Sequence, residues 1–283
     1  MRRSHPGAAE GREAPHLRIL DQLLAPDAIR HLMDSKIARA LRTTHPPVAI
    51  LFSDEKPEGA AQLTEGKWGC LMWLLAGALK GKTAAVDERS FGCLGGGTGL
   101  GFGNACEAWP GGIDGFCHFL SSGKEGYLKS PEVTRRFVET LPITRVPTRY
   151  VLFKPLAEVD VTREQPDSVL FLVNPDRLSA LVVLANYEGP AGENVILPWA
   201  AGCQSLGIFT YREARSEHPR AVVGMVDLSA RKYMNRQFGS DLLTFSIPFQ
   251  LFLTMEGNVA GSFLEREPWQ ELLELEAREG QAG

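Results

Sequence analysis

The 283-residue sequence is short of several things, and each shortage removes a class of protein. No apolar run approaches the ~20 residues that cross a bilayer. The longest, Trp68–Leu79, is interrupted by Gly69 and Gly77. Positive charge is not in excess: 30 Lys and Arg against 34 Asp and Glu leave a net charge of −4. That gives no bulk field for nucleic acid or an anionic membrane, and neither is expected as a partner. No apolar stretch precedes His16, so a secretory signal is not expected, and no Asn-x-Ser/Thr acceptor occurs. Cys-x-x-Cys, His-Glu-x-x-His and Gly-x-Ser-x-Gly are all missing. Thioredoxin-like, zincin and ordinary serine-hydrolase chemistry therefore lack support. A cytoplasmic location is expected, and there five cysteines read as thiols, metal ligands or core residues rather than disulfides.

What is present suits an ordinary soluble fold. The chain is 44% hydrophobic, enough to bury a core, and carries 29 glycines and 18 prolines. Residues 1–15 are polar and read as a disordered tail, leaving a single domain over 16–283. Apolar residues at helical spacing mark a helix over about Leu17–Leu41. Further helices are expected over Trp68–Leu79, from Pro131 to about Leu141, from Pro175 to about Tyr187, and from Gly202 to about Arg215. Two more are expected over Pro248–Glu256 and Pro268–Arg278. Ser130-Pro131-Glu132 and Asn174-Pro175-Asp176 are helix starts, with a capping side chain followed by proline at the first helical position. Strands are expected over Val48–Phe52, Thr83–Val86, Tyr150–Phe153, Ser168–Val173, Asn194–Trp199, Ala221–Val226 and Leu243–Ile247. Phe91–Gly115 is glycine-rich without a period and reads as a loop. The class is therefore α/β or interleaved α+β, a mixed sheet covered by helices. Val48–Phe52, Val169–Val173 and Ala221–Val226 are apolar on both faces, as buried strands must be.

Two segments share one grammar: strand, helix, strand, then Gly-Cys. They are Val48–Phe52 through Gly92-Cys93 and Val169–Val173 through Gly202-Cys203. Two related halves would place Cys93 and Cys203 at equivalent strand ends. Two phosphate-loop patterns fail. Gly81-Lys82-Thr83 lacks its first glycine, since Ala76 stands there, and Gly95–Gly103 never spells Gly-x-Gly-x-x-Gly.

The glycine run has a better meaning beside cysteine. In Gly92-Cys93-Leu94-Gly95-Gly96-Gly97 the backbone is bare and its N–H groups are free to donate. Iron–sulfur clusters want thiolates for iron and N–H donors toward sulfur. Cys203 sits where a strand gives way to a helix, and Cys70 follows Gly69 near a helix start. Cys70, Cys93 and Cys203 are thus a candidate three-thiolate set, with Gly95 and Gly96 as the surrounding backbone donors. Cys106 and Cys117 read as solvated loop thiols, either of which could supply a fourth ligand. A zinc ion held by three thiolates and His118 or water is the competing metal. A second reading is a cofactor-free module that binds a small anion or acts in regulation, using the glycine-run amides with Lys154 or Arg231. Arg231 and Tyr233 otherwise read as a solvated turn, and Phe245, Phe249 and Phe252 as an apolar core stripe.

The sequence resembles the DUF169 family. The resemblance rests on Val173-Asn-Pro-Asp-Arg-Leu-Ser-Ala-Leu181, Ala200-Ala-Gly-Cys-Gln-Ser205, Glu217-His-Pro-Arg-Ala221 and Asp227-Leu-Ser-Ala-Arg231. Phe245-Ser-Ile-Pro248 and Glu256-Gly-Asn-Val-Ala-Gly-Ser-Phe263 add to it. So do Pro47-Val-Ala-Ile50, Glu58-Gly59, Cys70 and Gly92-Cys93-Leu-Gly-Gly96 in the first half. It spans roughly Leu17–Leu264 and implies an uncharacterised prokaryotic cytosolic protein. It also implies a cysteine at each of the positions of Cys70, Cys93 and Cys203, but not at Cys106 or Cys117. Where the family usually has Cys-Pro-Gly-Gly or Cys-Lys-Gly-Gly, this chain has Cys93-Leu-Gly-Gly, and its loop Gly97–Ser122 is longer than usual. Together these readings lead to an expected 4Fe–4S cluster on the three cysteines, with one iron open. Redox or cofactor-linked metabolism follows, with a small molecule or an electron-transfer protein as partner.

Overall fold

Seven strands build one open mixed sheet in the computed structural model, which describes residues 35–189 and 192–282. The strands are β1 Val48–Ser53, β2 Ala84–Val86, β3 Tyr150–Pro155, β4 Ser168–Val173, β5 Val195–Ile196, β6 Ala221–Gly224 and β7 Leu243–Pro248. Their spatial order is β2-β3-β1-β4-β7-β6-β5. Every pairing is antiparallel except β5 with β6, which is parallel. The central register sets Val48 opposite both Pro155 and Leu170, and Phe171 opposite Phe245.

Alternation along the strands divides the core in two. Ala49, Leu51, Val169, Phe171, Val223, Phe245 and Ile247 point to one face. Helices Pro175–Ala185, Phe249–Gly257 and Glu267–Ala282 cover that face. Val48, Ile50, Val151, Phe153, Leu170 and Leu172 point to the other. Helices Leu71–Ala78 and Leu228–Phe238 pack there with Leu206. A strand covered on both faces reads as a near-continuous apolar run, and β4 is buried along its whole length with Ser168, at its start, the one polar residue. Phe245 and Phe252 are fully buried, as the stripe of phenylalanines implies.

Local chemistry explains the helix starts. The Ser130 hydroxyl accepts from the Val133 N–H at 3.3 Å, and the Asn174 side chain accepts from the Arg177 N–H at 3.0 Å. Pro131 and Pro175 follow these caps at the first turn, where a missing N–H costs nothing.

Several expectations are corrected. The stretch Phe91–Gly115 is not a loop: it contains a helix at Leu94–Gly99 and a 3-10 turn at Ala105–Ala108, and it enters the helix Gly112–Leu120. Glycine's low helix propensity hides a segment whose small residues are needed for close packing. Cys106 and Cys117 are accordingly buried rather than solvated. Arg231 and Tyr233 lie on the helix Leu228–Phe238, not in a turn. The strand expected over Asn194–Trp199 shrinks to two paired residues. The paired units do not repeat in space, because helices Leu71–Ala78 and Pro175–Ala185 pack on opposite faces of the sheet. Of the helix expected over Leu17–Leu41, only Lys36–Ala40 lies within the described residues, and the expected tail lies outside them.

Candidate functional site

Three Gly-Cys steps meet on the second face of the sheet, each at the start of a helix. Cys70 is the N-cap of Leu71–Ala78 and Cys93 the N-cap of Leu94–Gly99. Cys203 lies in the first turn of the helical segment that begins at Gly202. The first two steps are tied by backbone, the Gly69 N–H donating to the Gly92 carbonyl at 3.2 Å. Gly92 has φ +75°, and a Cβ there would stand 2.5 Å from the Gly69 oxygen, so only glycine fits. The third step docks on the helix that Cys93 caps. The Cys203 thiol donates to the Gly95 carbonyl at 3.4 Å, and a Cβ on Gly99 would stand 2.9 Å from the Cys203 sulfur.

The segment after Cys203 is held in an unusual winding. Ser205–Phe209 forms a π turn, in which the Thr210 hydroxyl donates to the Ser205 carbonyl at 2.7 Å. Such turns recur at functional sites because they re-aim the residues of a helix. Here the turn presses Gly207 against the Gly99 carbonyl, where a side chain has no room.

A carboxylate closes the cluster. The chain leaves β6 through Met225, a buried non-glycine residue at φ +61°, and so aims Asp227 back toward Gly202. Asp227 accepts from the Gly202 N–H at 2.5 Å and from the Ala230 N–H at 2.7 Å. One side chain thereby fixes the start of the Cys203 segment and caps Leu228–Phe238. The reading of the sequence passed over Asp227 as a site residue. Its signal was an aspartate directly before Leu-Ser-Ala-Arg, an N-cap pattern whose long-range acceptor role sequence does not show.

Burial, first of all, pushes every thiol of the set up. Cys70 rises to about 12, with the Met72 N–H opposing and Cys93 and Asp227 adding to the rise. Cys93 rises by burial against the N–H groups of Gly96 and Gly95, the former reaching its sulfur at 3.2 Å. Cys203 rises well above the ordinary thiol value, again by burial, with Cys93, Asp227 and Cys70 contributing. The three sulfurs and the carboxylate thus sense one another. All three thiols are neutral near pH 7, and binding a cation there would release protons. Cys106 is bonded instead to the Thr98 hydroxyl at 3.5 Å, and burial pushes it up to about 11.

The other candidate residues are engaged elsewhere. Lys154 is ion-paired with Glu164 at 2.6 Å. Arg231 donates to the Leu242 carbonyl at 3.2 Å and to the Ser240 carbonyl. His118 is exposed and bonds Ser122 at 2.9 Å. Among the described residues, no group of three or more His, Cys, Asp or Glu side chains is placed to hold a metal ion. None of the described helices is long and apolar enough to cross a membrane.

Residues 36–258 match the model of a protein family, DUF169, described as Uncharacterised ArCR. The chain belongs to the DUF169 family. The matched span holds Cys70, Cys93, Cys203 and Asp227, so the whole arrangement falls within the family's domain. No curated protein and no solved structure matches the chain. The family description names no reaction, and the chemistry has to be argued from this member's own residues.

Proposed function

We propose that this DUF169 protein is an iron–sulfur protein, with Cys70, Cys93 and Cys203 as the three protein ligands of a 4Fe–4S cluster and Gly95 and Gly96 in its backbone surround. The observation that supports this most is the meeting of three Gly-Cys steps at three helix starts, with the Gly96 N–H donating to the Cys93 sulfur at 3.2 Å. Such donors stabilise thiolate and raise the potential of bound iron. The donor set also suits the metal: soft sulfur ligands, half-buried, in a largely apolar surround. When bound, a cluster with three protein ligands supplies one iron open to a small molecule or water. The chain's own part is to hold the thiols, exclude bulk water and orient what enters. Asp227 positions the Cys203 segment through Gly202 and adds a negative charge beside the thiols. The small-anion reading loses its expected cations, since Lys154 and Arg231 are already engaged.

The test replaces Cys70, Cys93 and Cys203 singly with Ser, with Cys106→Ser as control. Iron and sulfide are measured after anaerobic reconstitution. Both should collapse in the first three variants and persist in Cys106→Ser. Equal iron retention in all four, or stoichiometric zinc in protein as isolated, overturns the assignment.

A further inference from the structure

Beside the cysteines lies an aromatic cluster that the fold leaves in water. Trp68 and Trp73 flank Cys70 in sequence, and Tyr233 reaches them from helix Leu228–Phe238. The three rings contact one another, with centroids 5.7, 5.9 and 5.6 Å apart. Trp68 is nevertheless 63% exposed and Trp73 41%. On the same helix as Trp73, the side chains of Leu71, Met72, Leu74 and Leu75 are buried. Two tryptophans held in place by edge contacts and left in solvent cost the free protein hydrophobic stabilisation. Exposed, pre-ordered tryptophan is what protein interfaces use as an anchor.

The charge around these rings is opposite to that of the whole chain. Helix Leu228–Phe238 carries Arg231, Lys232 and Arg236 and no acidic residue. Lys232, Arg236 and Lys67, the neighbour of Trp68, are exposed. Lys80 joins them, donating to Gln237 at 2.6 Å. Carboxylates on this side are held away from the ring face by local partners: Glu65 lies 3.9 Å from Arg89, Glu125 accepts from Ser229, and Asp227 accepts from two backbone N–H groups. A positive rim on a protein of net charge −4 selects a negative partner and steers its approach. A patch this small fits the low end of interface size, the range of transient electron-transfer complexes. A nucleic acid would need a longer basic track than four cations provide.

We infer that the Trp68–Trp73–Tyr233 face is the docking surface for a small acidic electron-carrier protein. The inference rests on the iron–sulfur reading, because the face abuts Cys70. Were a cluster held by Cys70, Cys93 and Cys203, it would accept the one electron the carrier gives up, with no bond formed or broken.

The probe is an acidic plant-type [2Fe–2S] ferredoxin, and its binding to the full chain is followed by biolayer interferometry at low and at moderate salt. Wild-type protein should bind saturably, and more weakly as salt rises. Trp68→Ala should weaken binding about tenfold or more by loss of an anchor. The double variant Lys232→Glu/Arg236→Glu should weaken it at least as much and reverse the salt effect. Arg278→Glu, on a helix of the opposite face, should bind like wild type. Absence of wild-type binding, or equal binding by all variants, overturns the inference. Binding requires no cluster, so the two readings separate. Iron-loaded protein that fails to bind removes the docking face alone. Protein that takes up no iron on anaerobic reconstitution yet binds through Trp68 and Lys232 overturns the cluster and, with it, the electron-transfer role, and leaves only the contact face.

Discussion

The two faces of the sheet are built on different principles. On the face covered by Pro175–Ala185, Phe249–Gly257 and Glu267–Ala282, large side chains fill the space: Phe171, Phe245 and Phe252 are buried with Leu181, Leu184 and Trp269. Its buried ionisable groups are hydrogen-bonded. Arg177 donates to the carbonyls of Leu41 and Arg42 and to Glu276, and Glu256 caps the helix Lys36–Ala40 through Ser35 and the N–H groups of Lys36 and Ile37. On the cysteine face, backbone touches backbone, as where Gly207 presses on Gly99 and the Gly69 step bonds the Gly92 step. The first face is a packing surface that many side-chain combinations could satisfy. The second holds polar and sulfur atoms in fixed positions, and its glycines are there for contact distance rather than flexibility.

The comparison can be broken by mutation, and the largest effects should come from one substitution on each face. Phe245→Ala opens a cavity and should cost roughly 3–5 kcal/mol. Gly207→Ala adds one methyl against the Gly99 carbonyl and should cost roughly 3 kcal/mol, the upper end for overpacking. Urea midpoints measure both. Phe245→Leu should recover much of the first loss, whereas no side chain at 207 should match glycine. Equal tolerance at the two positions would erase the distinction.

Next in size is Arg177→Met, which leaves Glu276 unpaired and strips a donor from two backbone carbonyls. A loss of about 2–3 kcal/mol in the same assay is expected. A neutral outcome would mean the packing face does not depend on its charges.

Smaller, and different in sign, are two pH effects on that face. Arg177 above all holds the Glu276 carboxyl below the usual range. Its contribution is present above the unfolded carboxylate value and is lost as pH falls through the folded one. Burial, outweighing its hydrogen bonds, pushes Glu256 the other way. Its contribution is full below the unfolded value and is lost as pH rises through the folded one. Stability measured from pH 3 to pH 7 should therefore show Glu276→Gln closing on wild type toward acid. Glu256→Gln should instead gain on wild type as pH rises. Parallel curves for both variants would contradict these directions.

The smallest effect sharpens the comparison. Gly77 lies in helix Leu71–Ala78 on the cysteine face, and nothing stands within 4 Å of a Cβ there. Gly77→Ala should stabilise the protein by about 0.5–1 kcal/mol through helix propensity. Destabilisation would mean that the whole face, not only its contact points, excludes side chains.

The sequence by itself determined the frame. Short continuous apolar runs marked β1, β4 and β6, because a strand between two helical layers has no polar side. Ser130 and Asn174, each followed by proline, marked helix starts, because capping is a contact within a few residues. The three Gly-Cys steps were legible as a set for the same local reason. Tertiary structure decided the rest. The helix Leu94–Gly99 exists although four of its six residues are glycine, because Cys93 caps it and Cys203 and Gly207 pack on it. Asp227 reaches Gly202 across a distance in sequence that no local pattern encodes. The matched units proved to lie on opposite faces, since which face a helix covers depends on the path of its connections and not on its own residues.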